Sequence, residues 1–98
     1  MVMFLKSRTA LITGSTSGIG LAIAKALAGE GANVVINGFG DAAAIEAERL
    51  ELERLSGGRA LYSAADMTRP DDIAGMVETA VKAFGGVDIL VNNAGIQH

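Results

Sequence analysis

Short apolar runs and longer amphipathic segments alternate along the chain. The apolar runs lie at Thr9–Ile12, Asn33–Asn37, 59–64 and 87–91. Between them, apolar residues recur every three or four positions, which is the period of an amphipathic helix. The most regular helical segment has its apolar positions at i, i+3, i+4, i+7, i+8 and i+11: Ile73, Met76, Val77, Ala80, Val81 and Phe84. The pattern predicts four strands separated by three helices.

Capping and breaking residues mark where each helix begins and ends. Asp41 has the position of an N-cap for the second helix, and residues 68–71 (Thr-Arg-Pro-Asp) have the capping pattern of a start for the third. Asp71 and Asp72 then lie near the positive end of that helix dipole. Glycine pairs stop the three helices at Gly29 and Gly31, Gly57 and Gly58, and Gly85 and Gly86.

The order β-α-β-α-β-α-β predicts a parallel sheet with helices on both faces, because strand crossovers are right-handed. This is a Rossmann-like doubly wound α/β fold, for which we expect the strand order 3-2-1-4. A ligand crevice is expected where strands 1 and 4 diverge. The 98 residues are at the low end of one domain, so we treat 1–98 as a single unit.

Composition excludes several classes of partner. The net charge is −3 and no basic cluster is present, which argues against nucleic acid. There is no cysteine, hence no disulfide framework and no thiolate metal site. No apolar run is long enough to span a bilayer. We therefore expect a cytoplasmic protein with no nucleic-acid, membrane or metal partner.

Residues 13–20, Thr-Gly-Ser-Thr-Ser-Gly-Ile-Gly, follow the first strand and precede the first helix. Gly14 can adopt the positive φ of a tight exit from a strand. Gly18 lets the backbone approach a pyrophosphate, and Gly20 lets the helix pack closely on its strand. Three hydroxyls can bond phosphate or the turn itself: those of Ser15, Thr16 and Ser17. The stretch predicts a site for the diphosphate of a dinucleotide.

Two other interpretations of this turn are disfavoured. The loop of a phosphate-loop nucleoside triphosphatase needs a Gly-Lys-Ser/Thr sequence, whereas the nearest lysine, Lys25, lies more than a turn into the helix. The glycines could also form only a flexible turn. The strand before them and the helix after them argue against that.

Three segments together resemble the short-chain dehydrogenase/reductase family. They are residues 13–20, Asp66 after the third strand, and residues 92–95 (Asn-Asn-Ala-Gly) after the fourth. The resemblance covers the chain from about Lys6 to His98. Residues 37–41 and 92–98 further resemble family members that act on (R)-3-hydroxybutyrate, which implies a small 3-hydroxy acid as substrate.

The resemblance implies contacts along the whole cofactor. Asp66 would accept a hydrogen bond from the adenine amino group, with a backbone contact from Met67, and Phe39 would pack on the adenosine. A segment that braces the glycine turn beside the nicotinamide-side ribose would comprise Asn93, Ala94 and Gly95. The full set of expected cofactor residues is Gly14, Thr16, Ser17, Gly18, Ile19, Gly20, Phe39, Asp66, Met67, Asn93, Ala94 and Gly95.

Each of these residues also has a plainer interpretation. Asp66 could be a polar cap between strand and helix, and residues 93–95 could be only the turn that ends strand 4. Gln97 would hold the substrate carboxylate by resemblance, since an amide can donate to it. His98 is interpreted as a bystander.

Charge favours NAD as the cofactor. A site for the 2′-phosphate of NADP needs a cation before the second glycine or after strand 2, where this chain has Ser17, Gly38 and Phe39. Asp41 has about the separation of the acid that binds ribose hydroxyls in the general fingerprint. Its position suits a helix cap better, so we prefer Phe39 on the adenosine.

The catalytic residues of the family are absent from this chain. The family has a serine, a second asparagine and a Tyr-x-x-x-Lys pair after the Asn-Asn-Ala-Gly segment, and Tyr62 has Asp66 where that lysine would be. The resemblance implies that residues 1–98 are the N-terminal NAD-binding part of a longer homo-oligomeric enzyme, a tetramer. We expect the chain alone to be inactive and strand 4 to leave an open sheet edge.

Three alternatives are weighed against this expectation. One is another member of the family, such as a 3-oxoacyl carrier-protein reductase, which usually uses NADPH. A second is a non-catalytic nucleotide-binding or interaction module. The third, a Rossmann-like methyltransferase, is disfavoured because it leaves the Asn-Asn-Ala-Gly segment unexplained.

Overall fold

A computed structural model of the chain describes residues 4–94. Its elements are β1 (Thr9–Ile12), α1 (Gly18–Gly29), β2 (Asn33–Asn37), α2 (Ala42–Ser56), β3 (Ala60–Ser63), α3 (Pro70–Phe84) and β4 (Ile89–Val91). The strands form one parallel sheet in the order β3-β2-β1-β4. The Rossmann-like topology and strand order predicted from the sequence are confirmed.

The core lies on both faces of the two central strands. Ile12 and Ile36 pack on one face with the small buried residues of α1 and with α2, whereas Leu11 and Val35 pack on the other face with α3. Successive strand residues point to opposite faces, so a strand that is covered on both sides must be apolar throughout. This explains why β1 and β2 do not alternate between apolar and polar residues.

The helix ends follow the predicted signals, with one exception. The Asp41 carboxylate accepts from the Ala44 N–H at 2.9 Å, and Gly57 ends α2 with φ 72°. The N-cap residue of α3 is Arg69, and its side chain makes no capping bond. Thr68 lies one residue before that cap, and its hydroxyl donates to Asp66 Oδ1 at 2.7 Å.

Two strands are shorter than predicted, and at the start of each one a side chain accepts a hydrogen bond from a main-chain N–H. The Arg59 N–H donates to Asn33 Oδ1 at 3.0 Å, and β3 begins one residue later. The Thr9 N–H donates to Asp88 Oδ2 at 2.8 Å, and β4 begins at the next residue, Ile89. Within residues 4–94, therefore, predicted strands 59–64 and 87–91 reduce to Ala60–Ser63 and Ile89–Val91.

The β4 edge of the sheet is open within the described part of the chain. No strand lies beyond β4 among residues 4–94, and the Leu90 side chain in the middle of β4 is exposed. No helix in the same residues is both long and apolar enough to cross a bilayer.

Candidate cofactor site

A cavity of about 410 Å³ opens over the carboxyl ends of β1, β2 and β3. Its lining consists of Gly14, Thr16, Ser17, Asn37, Gly38, Phe39, Ala65, Asp66, Met67, Thr68 and Ala94. Ligands of open parallel sheets bind at this end of the strands. The sequence predicted a crevice between strands 1 and 4, and the cavity extends from there across the end of β2 to β3. Seven of the expected cofactor residues line it.

A second cavity, of about 460 Å³, lies at the opposite ends of the strands. Its lining consists of Lys6, Ser7, Gly31, Asn33, Ser56, Gly57 and Gly58. None of the expected cofactor residues is among them. Two helices end near this cavity, so their carbonyl groups rather than their N–H groups face it, which does not suit a phosphate.

The glycine turn has the predicted backbone. Gly14 and Gly18 have φ values of 60° and 61°, in the left-handed region where other residues are strained. A Cβ on Gly18 would have no atom within 4 Å, so this side of the turn faces open space. A Cβ on Gly20 would lie 2.3 Å from the Gly14 carbonyl oxygen, and the close approach is therefore between the helix start and the turn.

The N-terminus of α1 offers donors at the rim of the cavity. Ser17 is the N-cap residue in extended conformation, and its side chain makes no capping hydrogen bond. The first N–H groups of a helix have no partner within the helix. Such groups favour an anion, and the exposed Ile19 lies among them.

The hydroxyls of the turn hold it in place. Ser15 is fully buried, and its hydroxyl donates to the Ile12 carbonyl at 2.6 Å while accepting from the Asn37 N–H at 2.9 Å. Thr16 Oγ1 donates to the Phe39 carbonyl at 3.3 Å. The sequence left open whether these hydroxyls bond a phosphate or the turn itself. The Ser15 hydroxyl bonds main-chain groups that hold the turn.

Asp66 presents a carboxylate to the same cavity. Its Oδ1 accepts from the Thr68 hydroxyl at 2.7 Å and from the Thr68 N–H at 2.9 Å. These two bonds lower the pKa of Asp66, the hydroxyl contributing more. Both bonds go to Thr68 and neither to an N–H of α3, so Asp66 does not cap that helix. Across the cavity, the Phe39 ring is 68% exposed and offers a face for stacking.

Thr68→Val is expected to raise the pKa of Asp66 towards its ordinary value, because it removes the hydroxyl bond and retains the N–H bond. A lowered folded-state pKa stabilises the protein above the unfolded pKa, and this stabilisation is lost as pH falls through the folded pKa. NMR titration of the Asp66 carboxyl carbon measures the shift. Thr79→Val is the control, since that hydroxyl binds the Gly75 carbonyl on α3. An unchanged Asp66 midpoint in Thr68→Val would contradict the assignment.

The segment after β4 braces the turn, as expected. Asn93 is buried, and its Nδ2 donates to the Gly14 carbonyl at 2.9 Å. The Ala94 N–H donates to Thr13 Oγ1 at 3.0 Å. The other expected residues of this segment, Gly95 and Gln97, lie outside the described residues, as does His98.

Sequence reasoning missed Asn37 as a residue of the site. It is 1% exposed at the end of β2. Its Oδ1 accepts from the Gly14 N–H at 3.2 Å, and its Nδ2 donates to the carbonyls of Ser63 and Ala65 at 3.1 and 3.0 Å. The available signal was an amide ending an otherwise apolar strand, directly before the glycine at position 38.

Known proteins resemble the chain in sequence and in fold. Residues 8–98 match the short chain dehydrogenase family. D-beta-hydroxybutyrate dehydrogenase from Cupriavidus necator is 57% identical over 94 residues, which cover 96% of this chain and 36% of the relative. The enzyme of the same name from Rhizobium meliloti is 56% identical over 91 residues, covering 93% of this chain and 35% of the relative.

Among solved structures, L-sorbose reductase from Gluconobacter frateurii, complexed with NADPH and L-sorbose, superposes with a TM-score of 0.86. It is 41% identical, and the match covers 100% of this chain and 37% of that one. The chain thus spans about a third of the length of the proteins it matches. The chain belongs to the short chain dehydrogenase family, a family of oxidoreductases.

Proposed function

We propose that residues 1–98 form the NAD-binding part of an oxidoreductase that interconverts (R)-3-hydroxybutyrate and acetoacetate. The observation that carries the proposal is the cavity that joins the uncapped start of α1 to the Asp66 carboxylate and the Phe39 ring. A dinucleotide has an anionic centre and a flat polar base, which these two ends of the cavity match. The identity of 57% to a D-beta-hydroxybutyrate dehydrogenase supports the choice of substrate.

In this proposal the diphosphate lies against the glycine turn. The N–H groups at residues 18–20 donate to it, and the helix dipole favours its charge. Asp66 accepts a hydrogen bond from the adenine amino group, and Phe39 packs on the adenosine. Residues 93–95 hold the turn and the ribose on the nicotinamide side, and Gln97 binds the substrate carboxylate.

The surroundings of β2 favour NAD over NADP. The lining of the cavity includes the Asp66 carboxylate and, among residues 4–94, no lysine or arginine. At Gly38, φ is 149° and a Cβ would lie 2.7 Å from Thr16 Oγ1, so a cationic side chain there would be strained and crowded. A 2′-phosphate in this region would lose its water without gaining a cation.

This chain binds and orients the cofactor rather than performing the proton transfer. When bound, NAD would supply the acceptor for the hydride from C3 of the hydroxy acid, and the hydroxyl proton would leave to a base. Tyr62, the one tyrosine of the chain, donates its hydroxyl to the Gly38 carbonyl and supports the loop after β2. The base belongs to the remainder of the proposed enzyme, which we propose is a homo-oligomer.

We expect the chain to bind NADH at least about tenfold more tightly than NADPH, because the cavity lacks a cation for the extra phosphate. The chain contains no tryptophan, so the titration follows the emission and anisotropy of the reduced nicotinamide itself.

The NADPH of the L-sorbose reductase complex favours a second candidate, an NADPH-dependent reductase of the same family. Tighter binding of NADPH would select that candidate.

The chain alone is expected to show no turnover with NAD and (R)-3-hydroxybutyrate. The physical reason is that it lacks a Tyr-x-x-x-Lys pair, hence a tyrosine whose pKa a lysine lowers for proton transfer. NADH formation is followed by absorbance, with an enzyme of the same family as positive control. Formation of NADH by the purified chain would refute this account of the missing residues.

A further inference from the structure

The carboxamide of Asn37 forms hydrogen bonds with three main-chain groups on two separate segments. Its oxygen faces the N–H of Gly14, and its nitrogen faces two carbonyl groups, those of Ser63 and Ala65. These partners fix which end of the amide is which, because the reverse orientation would put oxygen against two carbonyls. With 1% of the residue exposed, water does not substitute for these partners. The bonds therefore hold the glycine turn and the end of β3 to one rigid group.

On one side, Asn37 completes a clamp around Gly14. The Gly14 N–H donates to Asn37 Oδ1 at 3.2 Å, and the Gly14 carbonyl accepts from Asn93 Nδ2 at 2.9 Å. The main chain of Asn37 adds to this, since its carbonyl accepts from the Ser15 N–H at 2.6 Å. The backbone of the turn is thus fixed from β2 and from the segment after β4.

On the other side, Asn37 orients the peptide group directly before Asp66. The oxygen of that peptide is the Ala65 carbonyl, which accepts from Asn37 Nδ2 at 3.0 Å. Its N–H is that of Asp66, which donates to Asp72 Oδ2 at 2.9 Å. A planar group held at both ends has no freedom to rotate. The direction in which Asp66 leaves the backbone is therefore set partly by Asn37.

Building on the proposed dinucleotide site, we infer that Asn37 is a positioning residue, whose carboxamide sets the spacing between Gly14 of the phosphate turn and Asp66 at the adenine end. The two ends of the ligand meet groups whose separation is fixed before binding. Such preorganisation raises affinity because the cost of ordering the site is not met during binding. Aspartate lacks the two donors, so its carboxylate would repel both carbonyls.

The first test needs no ligand. Asn37→Ala is expected to speed amide hydrogen exchange at Gly14 and Asp66 by about tenfold. The Gly14 N–H loses its acceptor, and the peptide group of the Asp66 N–H loses the hydrogen bond to its carbonyl oxygen. Ser56→Ala is the matched control: Ser56 is also buried and bonded to main chain, but it lies at the opposite end of the strands. It should leave both amides unchanged. Equal effects of the two substitutions would overturn the inference.

A second variant guards against a simple loss of folding. Asn37→Ser keeps a small polar side chain that can donate to one carbonyl, and it should restore part of the protection at Asp66 while Gly14 remains fast. Circular dichroism melts establish that each variant is folded at the temperature of the exchange experiment. Full protection of Gly14 in folded Asn37→Ser would overturn the proposed coupling.

The second test measures coupling in ligand binding. Asn37→Ala is expected to weaken NADH binding about tenfold, and Asp66→Asn to weaken it about tenfold in the unaltered chain. In the Asn37→Ala background, adding Asp66→Asn should lower the NADH affinity by less than about threefold, because Asp66 is no longer held in place. In the Ser56→Ala background it should keep its full effect.

The outcomes separate the two proposals. If the unaltered chain binds neither NADH nor NADPH, the proposed function fails and takes the binding role of Asn37 with it. If NADH binds and Asn37→Ala binds it equally well, or if the effects of Asn37→Ala and Asp66→Asn simply multiply, only the positioning role is overturned.

Discussion

Gly20→Ala is expected to lower the affinity for NADH about 100-fold and the free energy of unfolding by about 3 kcal/mol. The added Cβ would lie 2.3 Å from the Gly14 carbonyl oxygen and 2.7 Å from Asn93 Nδ2. Both neighbours are parts of the clamp, so the helix start and the turn must separate. Isothermal titration with NADH and urea denaturation measure the two effects.

Gly29→Ala is the matched control in the same helix. A Cβ on Gly29 would have no atom within 4 Å, and this residue ends α1 far from the cavity. Alanine is the better helix former, so stability should stay level or rise by up to about 1 kcal/mol. NADH affinity should not change. A Gly20→Ala protein that binds NADH as tightly as Gly29→Ala would show that the close approach at residue 20 is unimportant.

The roles of the glycines show how far sequence spacing leads. Positive φ at Gly14 and open space at Gly18 agree with the roles that the spacing predicted. For Gly20 the prediction of close packing is right, but the nearest atom belongs to the turn rather than to the strand. Glycine spacing indicates where a side chain is not tolerated. Which atom the side chain would clash with depends on how the glycine turn, the start of α1 and the segment after β4 pack together.

The order of strands and helices was predictable because apolar periodicity, caps and glycine stops agree with one another along the chain. The errors are local. Thr68 was expected within the cap of α3, but its hydroxyl binds Asp66. Asp88 was expected inside strand 4, but its carboxylate takes the Thr9 N–H. At Asp88 a short polar side chain takes a main-chain N–H, and at Thr68 the partner is another side chain; periodicity detects neither bond.

The site was predictable where residues are close in sequence to a glycine turn or a strand end. Phe39 and Asp66 line the same cavity as the turn, although their contacts with a cofactor stay predictions. Asn37 was missed because its partners are 23, 26 and 28 residues away along the chain. They meet through the register of β2 with its two neighbours: Ile36 is opposite Ile12 of β1, which leads to Gly14, and Asn37 is opposite Ser63 of β3.

Asn93→Ala is expected to lower the free energy of unfolding by about 2 kcal/mol and the affinity for NADH by about 30-fold. The Asn93 amide is buried and donates to the Gly14 carbonyl at 2.9 Å. Truncation leaves that carbonyl without its partner and opens a void beside Gly20. The turn then loses one of the two amides that hold Gly14. Urea denaturation and NADH titration measure both effects.

Asn92→Ala tests whether burial, rather than residue type, makes Asn93 important. Asn92 is the adjacent asparagine and is exposed, and within residues 4–94 its side chain makes one hydrogen bond, which it accepts from the Thr13 hydroxyl at 3.3 Å. That hydroxyl is also within reach of the Val91 carbonyl, at 3.4 Å, so it keeps an acceptor when Asn92 is truncated. The free energy of unfolding should change by less than about 0.5 kcal/mol. Equal losses in the two variants would contradict the clamp, because of these two asparagines it is Asn93 that donates to the Gly14 carbonyl.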